Sequence, residues 1–243
     1  MRHRFLVGPQ GFDGDHVAFA ADQAHQIRSV LRLRAGDRVL AFDGITPRDR
    51  LVELIDAGHA RVVAEQPQAP EPATRVIVYP ALLQRDKFET ILQKLTELGV
   101  AAITPVITAR GLVRQGPDER REGRWASILR EAAEQSGRGV VPRLLPALAF
   151  SQALDNAPGR LIVAYEGERA HELRDALRPT PTTVSLFTGP EGGFASEEVA
   201  CVHRAGAHSV TLGPRVLRAE TAALVLTALV LYELGDLSSN GEQ

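Results

Sequence analysis

Apolar and polar residues alternate in short runs over the first quarter of the chain and then give way to longer helical periods. Arg4–Val7 reads as a short strand. Asp22 is placed to cap a helix through Leu31, with Ile27, Val30 and Leu31 on its apolar side. Ala35-Gly36-Asp37 forms a turn, and Val39–Phe42 is a strand closed by the hairpin signal Asp43-Gly44. Leu51–Ile55 and Ala60–Val63 flank Ala57-Gly58 and complete a meander, so this part is expected to form a small β-barrel. The stretch from Gln66 to Pro72 carries three prolines, which neither a helix nor a central strand tolerates. It reads as a linker between a domain over 1–70 and a second over 73–243.

Beyond it the pattern changes. Arg75–Leu83 is strand-like, and Arg85–Leu98 is helical and closed by Gly99. Ala101–Val106 is a strand, and Asp118–Ser136 is a helix ending at Gly137. Leu161–Ala164, Val184–Phe187 and Ser209–Leu212 are strands; His171–Leu177, Ser196–Ala205 and Arg218–Leu234 are helices. Ser196 is the expected cap of its helix, with Glu198 in the first turn. Strands alternating with helices predict a parallel α/β sheet, whose ligands bind beyond the carboxyl ends of the strands. That points to the loops after Phe187 and Leu212.

The first loop is Thr188-Gly-Pro-Glu-Gly-Gly-Phe194. Its glycines let the backbone turn sharply and approach a ligand. It has neither the G-x-G-x-x-G spacing of a dinucleotide site nor the G-K-[S/T] of a phosphate loop. An ordinary strand-to-helix turn would have the same composition. The second loop, Leu212-Gly-Pro-Arg-Val-Leu-Arg-Ala-Glu-Thr-Ala222, runs into the last helix. Free amides at that helix start suit a ligand acceptor. Glu220 and Thr221 are explained by capping, whereas Arg215 and Arg218 are not.

Composition narrows the function classes. Apolar residues make up 44 % of 243, enough for a substantial core. No apolar run is long enough to span a bilayer, and no signal peptide opens the chain, so a cytoplasmic protein is expected. A single cysteine, Cys201, leaves no internal disulfide or cysteine metal cluster, and no metal is expected. The net charge of −2 excludes a uniformly basic nucleic-acid binder. It hides an asymmetry: residues 104–145 hold eight Arg and five acids, whereas 146–243 hold seven Arg and twelve acids. Such polarity orients a polyanion, or else reflects a solvated helix face.

Six blocks in order carry a family resemblance. They are His25-Gln-Ile-Arg-Ser-Val-Leu-Arg32 with Gly36-Asp37, Arg85-Asp-Lys-Phe-Glu89, Gln93-Lys-Leu-Thr-Glu-Leu-Gly-Val100, Glu131-Ala-Ala-Glu-Gln-Ser-Gly-Arg138, Gly189–Phe194 and Leu212–Ala222. In these the chain resembles the ribosomal RNA small subunit methyltransferase E family, SPOUT-class enzymes that methylate N3 of a uridine in 16S ribosomal RNA. The sequence departs from the family's Thr-Glu-Arg-Ser at Thr108-Ala-Arg-Gly111, keeping Arg110. The resemblance implies a PUA-like RNA-binding β-barrel followed by an α/β domain with a C-terminal trefoil knot. It also implies a homodimer and S-adenosylmethionine held by the knot loops. Carried onto this sequence, the cofactor residues are Thr188, Gly189, Glu191, Gly192, Gly193, Leu212, Gly213, Val216, Leu217, Ala219, Thr221 and Ala222.

Methyl transfer needs positioning and loss of the uridine N3 proton, but no metal. Arg218 is assigned to stabilising the uridine anion or holding a phosphate, because arginine stays protonated. Glu220 is the carboxylate placed to act as base, or else a helix cap. The expected RNA contacts are Arg2, Arg4, Arg28, Arg32 and Arg34 on the barrel, with Arg110 and Arg114 beyond it. Glu131, Glu134, Gln135 and Arg138 recur at helical spacing as a dimer or RNA face, or as ordinary surface pairs. Trp125 and Cys201 read as packing residues, and His25 as a packed or solvated histidine. The competing function is a non-catalytic RNA-binding ribosome-assembly factor; the retained loop glycines argue against it.

Overall fold

The computed structural model describes residues 3–46 and 48–237, so Arg2 lies outside the described residues. The chain forms two compact units. The first runs to Glu71 and takes in Arg130–Val141; the second holds Pro72–Leu129 and the chain from Pro142 onward.

In the first unit, β1 (Arg4–Leu6), β2 (Phe12–Asp13), β3 (His16–Ala18), β4 (Arg38–Phe42), β5 (Arg48–Leu54) and β6 (His59–Pro67) form one sheet. Its order is β1-β4-β5-β6-β3-β2. Only β1–β4 pair in parallel. Alternate residues point inward, and Phe5, Val17, Phe19, Val39, Ala41, Val52, Leu54 and Ala60 form the core with Ile27.

The expected helix over 22–31 is wound differently. α1 covers Ala21–His25 and passes into a π turn over Gln26–Val30. Asp22 sits in its first turn rather than at the cap. The wider winding rotates Val30 off the apolar side: it is 66 % exposed, while Ile27 stays buried. The proline stretch is not a free linker either. β6 extends through Pro67, and Gln68 Nε2 donates to Asp49 at 2.8 Å.

Three side chains bind β1 into this unit. The Arg4 guanidinium is 5 % exposed, pairs with Asp49 at 2.7 Å and lies over the Phe42 ring. It also donates to the carbonyls of Ala133 and Arg138, at 3.0 and 2.6 Å. Glu134 accepts from the Leu6 N–H at 2.8 Å, and Gln23 donates to the Leu6 carbonyl at 2.7 Å. Arg138 is buried and pairs with Glu71. Arg4 is therefore a structural group rather than an RNA contact, because every direction of its fork is occupied. Glu134 and Arg138 likewise point inward, while Glu131 and Gln135 face outward.

The second unit carries the alternating pattern. Its strands are β7 (Arg75–Pro80), β8 (Ala102–Ile103), β9 (Val106–Ile107), β10 (Arg143–Leu144), β11 (Leu148–Ala149), β12 (Arg160–Ala164), β13 (Thr183–Thr188) and β14 (His208–Val210). Its helices are α2 (Arg85–Leu98), α3 (Glu119–Ser136), α4 (Phe150–Asn156), α5 (Leu173–Ala176), α6 (Ser196–Arg204) and α7 (Ala219–Glu233). From Arg130 onward α3 belongs to the first unit. The main sheet is parallel, in the order β10-β8-β7-β13-β12-β14. Pro105 interrupts the expected strand over 101–106, and β9 turns aside to pair with β11. Ser196 is the first helical residue of α6; Glu198 reaches back to the Ala195 N–H at 2.8 Å.

The core stacks Tyr79 on Phe187, with ring centroids 4.5 Å apart, and sets Phe150 against Phe194. Trp125 is 2 % exposed and packs on Phe88, as its sequence setting suggested. Cys201 is half-buried, its Sγ 2.9 Å from Arg204 Nη2.

Candidate functional site

β12, β13 and β14 are parallel and adjacent, so the loops after all three leave from the same edge of the sheet. They enclose a cavity of about 550 Å³. Gly189–Gly193 forms one wall and Thr211–Ala219 the other. The loop after β12 adds Tyr165, Glu166 and Arg169, and α2 adds Lys87.

Two glycines are demanded by backbone geometry. Gly193 has φ +67°, and a Cβ there would stand 2.0 Å from Glu166 Oε1. Gly213 has φ +105° at the first turn of the opposite wall. The Thr108–Gly111 segment braces the first wall from behind. A Cβ on Gly192 would come within 3.2 Å of Arg110 Cβ, and Arg110 Nη1 donates to the Gly192 carbonyl at 3.4 Å. Glu198 Oε1 accepts from the Ala109 N–H at 2.7 Å, tying that segment to the start of α6. Arg114 donates to the Ala109 carbonyl. Arg110 and Arg114 thus each have a backbone partner in this wall, although both remain exposed.

The site's charges are arranged in pairs. Lys87 Nζ meets Glu191 Oε1 at 2.7 Å. Partial burial raises the Glu191 carboxyl, but the Lys87 hydrogen bond, the residue's own amide and the Lys87 charge together outweigh it and hold the pKa below the usual value. Lys87 is raised by the same bond, helped by the charge of Glu220. Glu168 folds the loop after β12. It receives His171 Nδ1 at 3.0 Å and the amides of Ala170 and Arg169 at 2.8 and 2.9 Å, and its pKa falls to about 2. Arg169 in turn donates to the Glu166 carbonyl.

Of the expected site residues, Gly189, Glu191, Gly192, Gly193, Leu212, Gly213, Val216, Leu217, Arg218, Ala219 and Ala222 line the cavity. Thr188 does not: it is 2 % exposed inside β13, and its carbonyl accepts from Ala81. Thr221 is half-buried in α7 and also lies off the lining. Glu220 also lies off the lining, in the first turn of α7, where its Oε2 is buried without a hydrogen-bond partner. A simple cap would bond its carboxylate to the helix amides, so capping does not account for this oxygen. Arg28, Arg32 and Arg34 are exposed in the first unit, with Arg32 at φ 56°.

Lys87, Tyr165, Glu166 and Arg169 are cavity residues the sequence reading passed over. The rule that ligands bind beyond strand ends applies equally to β12, whose loop lacks the Gly-Pro composition that drew attention to the other two. Among the described residues, no group of His, Cys, Asp and Glu could hold a metal, and no helix is long and apolar enough to cross a membrane.

Residues 69–231 match the RNA methyltransferase domain family. The chain is 32 % identical over 240 residues to a ribosomal RNA small subunit methyltransferase E from Synechocystis, covering 95 % of this chain and 77 % of that one. It is 31 % identical over 229 residues to the protein of the same name from Bacillus subtilis, covering 89 % and 90 %. A ribosomal RNA small subunit methyltransferase E from Neisseria gonorrhoeae, solved bound to S-adenosyl methionine, superimposes with a TM-score of 0.88 at 31 % identity. That match covers 98 % of this chain and 100 % of the solved one.

Proposed function

The chain belongs to the ribosomal RNA small subunit methyltransferase E family, and on that premise we propose that it methylates N3 of a uridine in 16S ribosomal RNA with S-adenosylmethionine. The observation that carries this reading is the convergence of three strand-end loops on one cavity with backbone-rich walls. The cavity's volume suits a nucleoside-sized cofactor. Its lining combines apolar Leu212, Val216 and Leu217 with glycine backbone and a few charged groups, the donor set that an adenosine bearing a charged amino-acid tail requires. Bound there, the cofactor supplies an electrophilic methyl group.

The rest is done by side chains. Glu191, steadied by Lys87, accepts from a ribose hydroxyl or from the cofactor's amino group. Arg218, exposed at the cavity mouth, stabilises the negative charge that develops on the uracil as N3 loses its proton. Glu220 is the base; its buried Oε2 has no hydrogen-bond partner, so no protein donor occupies it.

In the same reading the first unit is a PUA-like barrel that binds RNA through Arg28, Arg32 and Arg34. The second is a SPOUT domain whose C-terminal part is a trefoil knot; the placement of β12 between β13 and β14 is consistent with such threading. The protein works as a cytoplasmic homodimer. Calorimetric titration with S-adenosylmethionine, followed by mass spectrometry of ribosomal RNA from cells with and without the protein, tests the proposal. Saturable cofactor binding and a methyl group lost from one 16S uridine are expected. Binding without methylation would favour an assembly factor.

A further inference from the structure

A second cavity, of about 610 Å³, adjoins the first and shares one wall residue with it, Lys87. It is lined by Leu83, Gln84, Arg85, Asp86, Val113 and Arg121. Its arginines, Arg85 and Arg121, outnumber its one carboxylate, Asp86, and unlike their neighbours they have no ion-pair partner among the described residues. Next along the same helices, Arg124 holds Glu89 at 2.6 Å, and Lys94 holds Glu97 at 2.8 Å. Arg85 and Arg121 have no side-chain hydrogen bond or ion pair among the described residues. Glu89 feels both only as more distant positive charges, after its bond to Arg124. The side chain of Asp86 makes no hydrogen bond or ion pair to either arginine among the described residues; two planar cations facing one recess suit an anion with several acceptor oxygens. Val113 adds an apolar edge, and its neighbour Leu112 is 66 % exposed. A free inorganic anion has no use for an apolar edge; a nucleotide does.

We infer that this second cavity is a substrate subsite: Arg85 and Arg121 bind a backbone phosphate of the RNA, and Val113 with Leu112 supports an adjacent base. The inference rests on the RNA methyltransferase reading and extends it. Lys87 joins the two cavities, so a strand gripped by Arg85 and Arg121 is delivered to the wall that Glu191 and Arg218 line.

The test uses the full-length protein and a single-stranded, uridine-rich RNA oligonucleotide, with affinity read by fluorescence anisotropy across a salt series. Each phosphate contact to a single strand contributes about 0.7 to the log–log salt slope. Arg85→Gln/Arg121→Gln is expected to weaken binding and make the slope shallower by about 1.4, two contacts' worth. The calorimetric titration with S-adenosylmethionine should be unchanged, which also reports a folded second unit. Arg85→Lys/Arg121→Lys keeps both charges and should keep the slope, while loosening the fork geometry and raising KM for RNA. An unchanged slope in the glutamine variant overturns the inference. A changed slope in a protein that never methylates 16S RNA would sink the methyltransferase reading and leave the phosphate subsite standing.

Discussion

Selected arginines of the two units do opposite work. In the first, Arg4 and Arg138 are buried, their guanidinium groups spent on carboxylates and backbone carbonyls. In the second, Arg85, Arg121 and Arg218 stand at cavity walls with no carboxylate partner among the described residues. One residue type thus cements the first unit's edge strand and, in the second unit, also stands without an ion-pair partner at cavity walls. The difference follows from architecture. A small sheet with a thin core must tie in its edge strand by side-chain bonds, whereas a parallel sheet covered by helices leaves its strand-end loops free for ligands.

The strongest way to break this contrast is to treat Arg4 as a surface residue. Arg4→Met strands a buried Asp49 and should cost about 3–5 kcal/mol, read as a lower urea midpoint. Adding Asp49→Asn should recover much of that loss, since it removes the unpaired charge. A single variant as stable as wild type would mean Arg4 is not structural. Next in size is Gly193→Val. The positive φ and the approach to Glu166 should cost about 1–3 kcal/mol and abolish the calorimetric signal for S-adenosylmethionine. Unchanged cofactor affinity would move the cofactor to another site.

Two carboxylates sharpen the comparison through pH. Burial raises the pKa of Glu134 above its ordinary 4.5, against the opposing Leu6 amide and Arg130 charge. The folded first unit therefore holds that proton more tightly, and stability declines as pH rises from 4.5 through the folded pKa. Glu168 behaves in reverse: its contribution is complete above 4.5 and is lost as pH falls toward about 2. Urea midpoints across pH should lose the first dependence in Glu134→Gln and the second in Glu168→Gln. Identical pH profiles for wild type and variants would refute the pairing. The smallest effect on stability belongs to Arg28→Gln/Arg32→Gln. These exposed groups should leave the urea midpoint in place and lower the RNA salt slope by about 1.4. A large loss of stability would place them with Arg4.

Long periodic segments were legible in advance. α2 begins and ends where its apolar spacing and Gly99 predict, and the two glycine-rich loops do line one cavity. Short elements were not. β2 and β3 span two and three residues, too few for an alternation to register. α4 has no capping side chain to announce it. The loop after β12 folds on Glu168 hydrogen bonds instead of glycine and proline, so composition gave it no mark. The buried role of Arg4 depends on partners at Ala133 and Arg138, and no local pattern encodes a contact across so long a stretch of chain.

The return of Arg130–Val141 to the first unit bears on how the protein can be dissected. A fragment stopped at Glu71 contains every strand of the first sheet, yet lacks the carbonyls that receive Arg4, the carboxylate that caps Leu6 and the partner of Glu71. Synthesis reaches those groups only after much of the second unit's chain has been made. The first sheet is therefore complete in sequence well before it is complete in bonding. A nascent chain or a proteolytic product ending near the proline stretch should be the form in which this protein aggregates or is degraded.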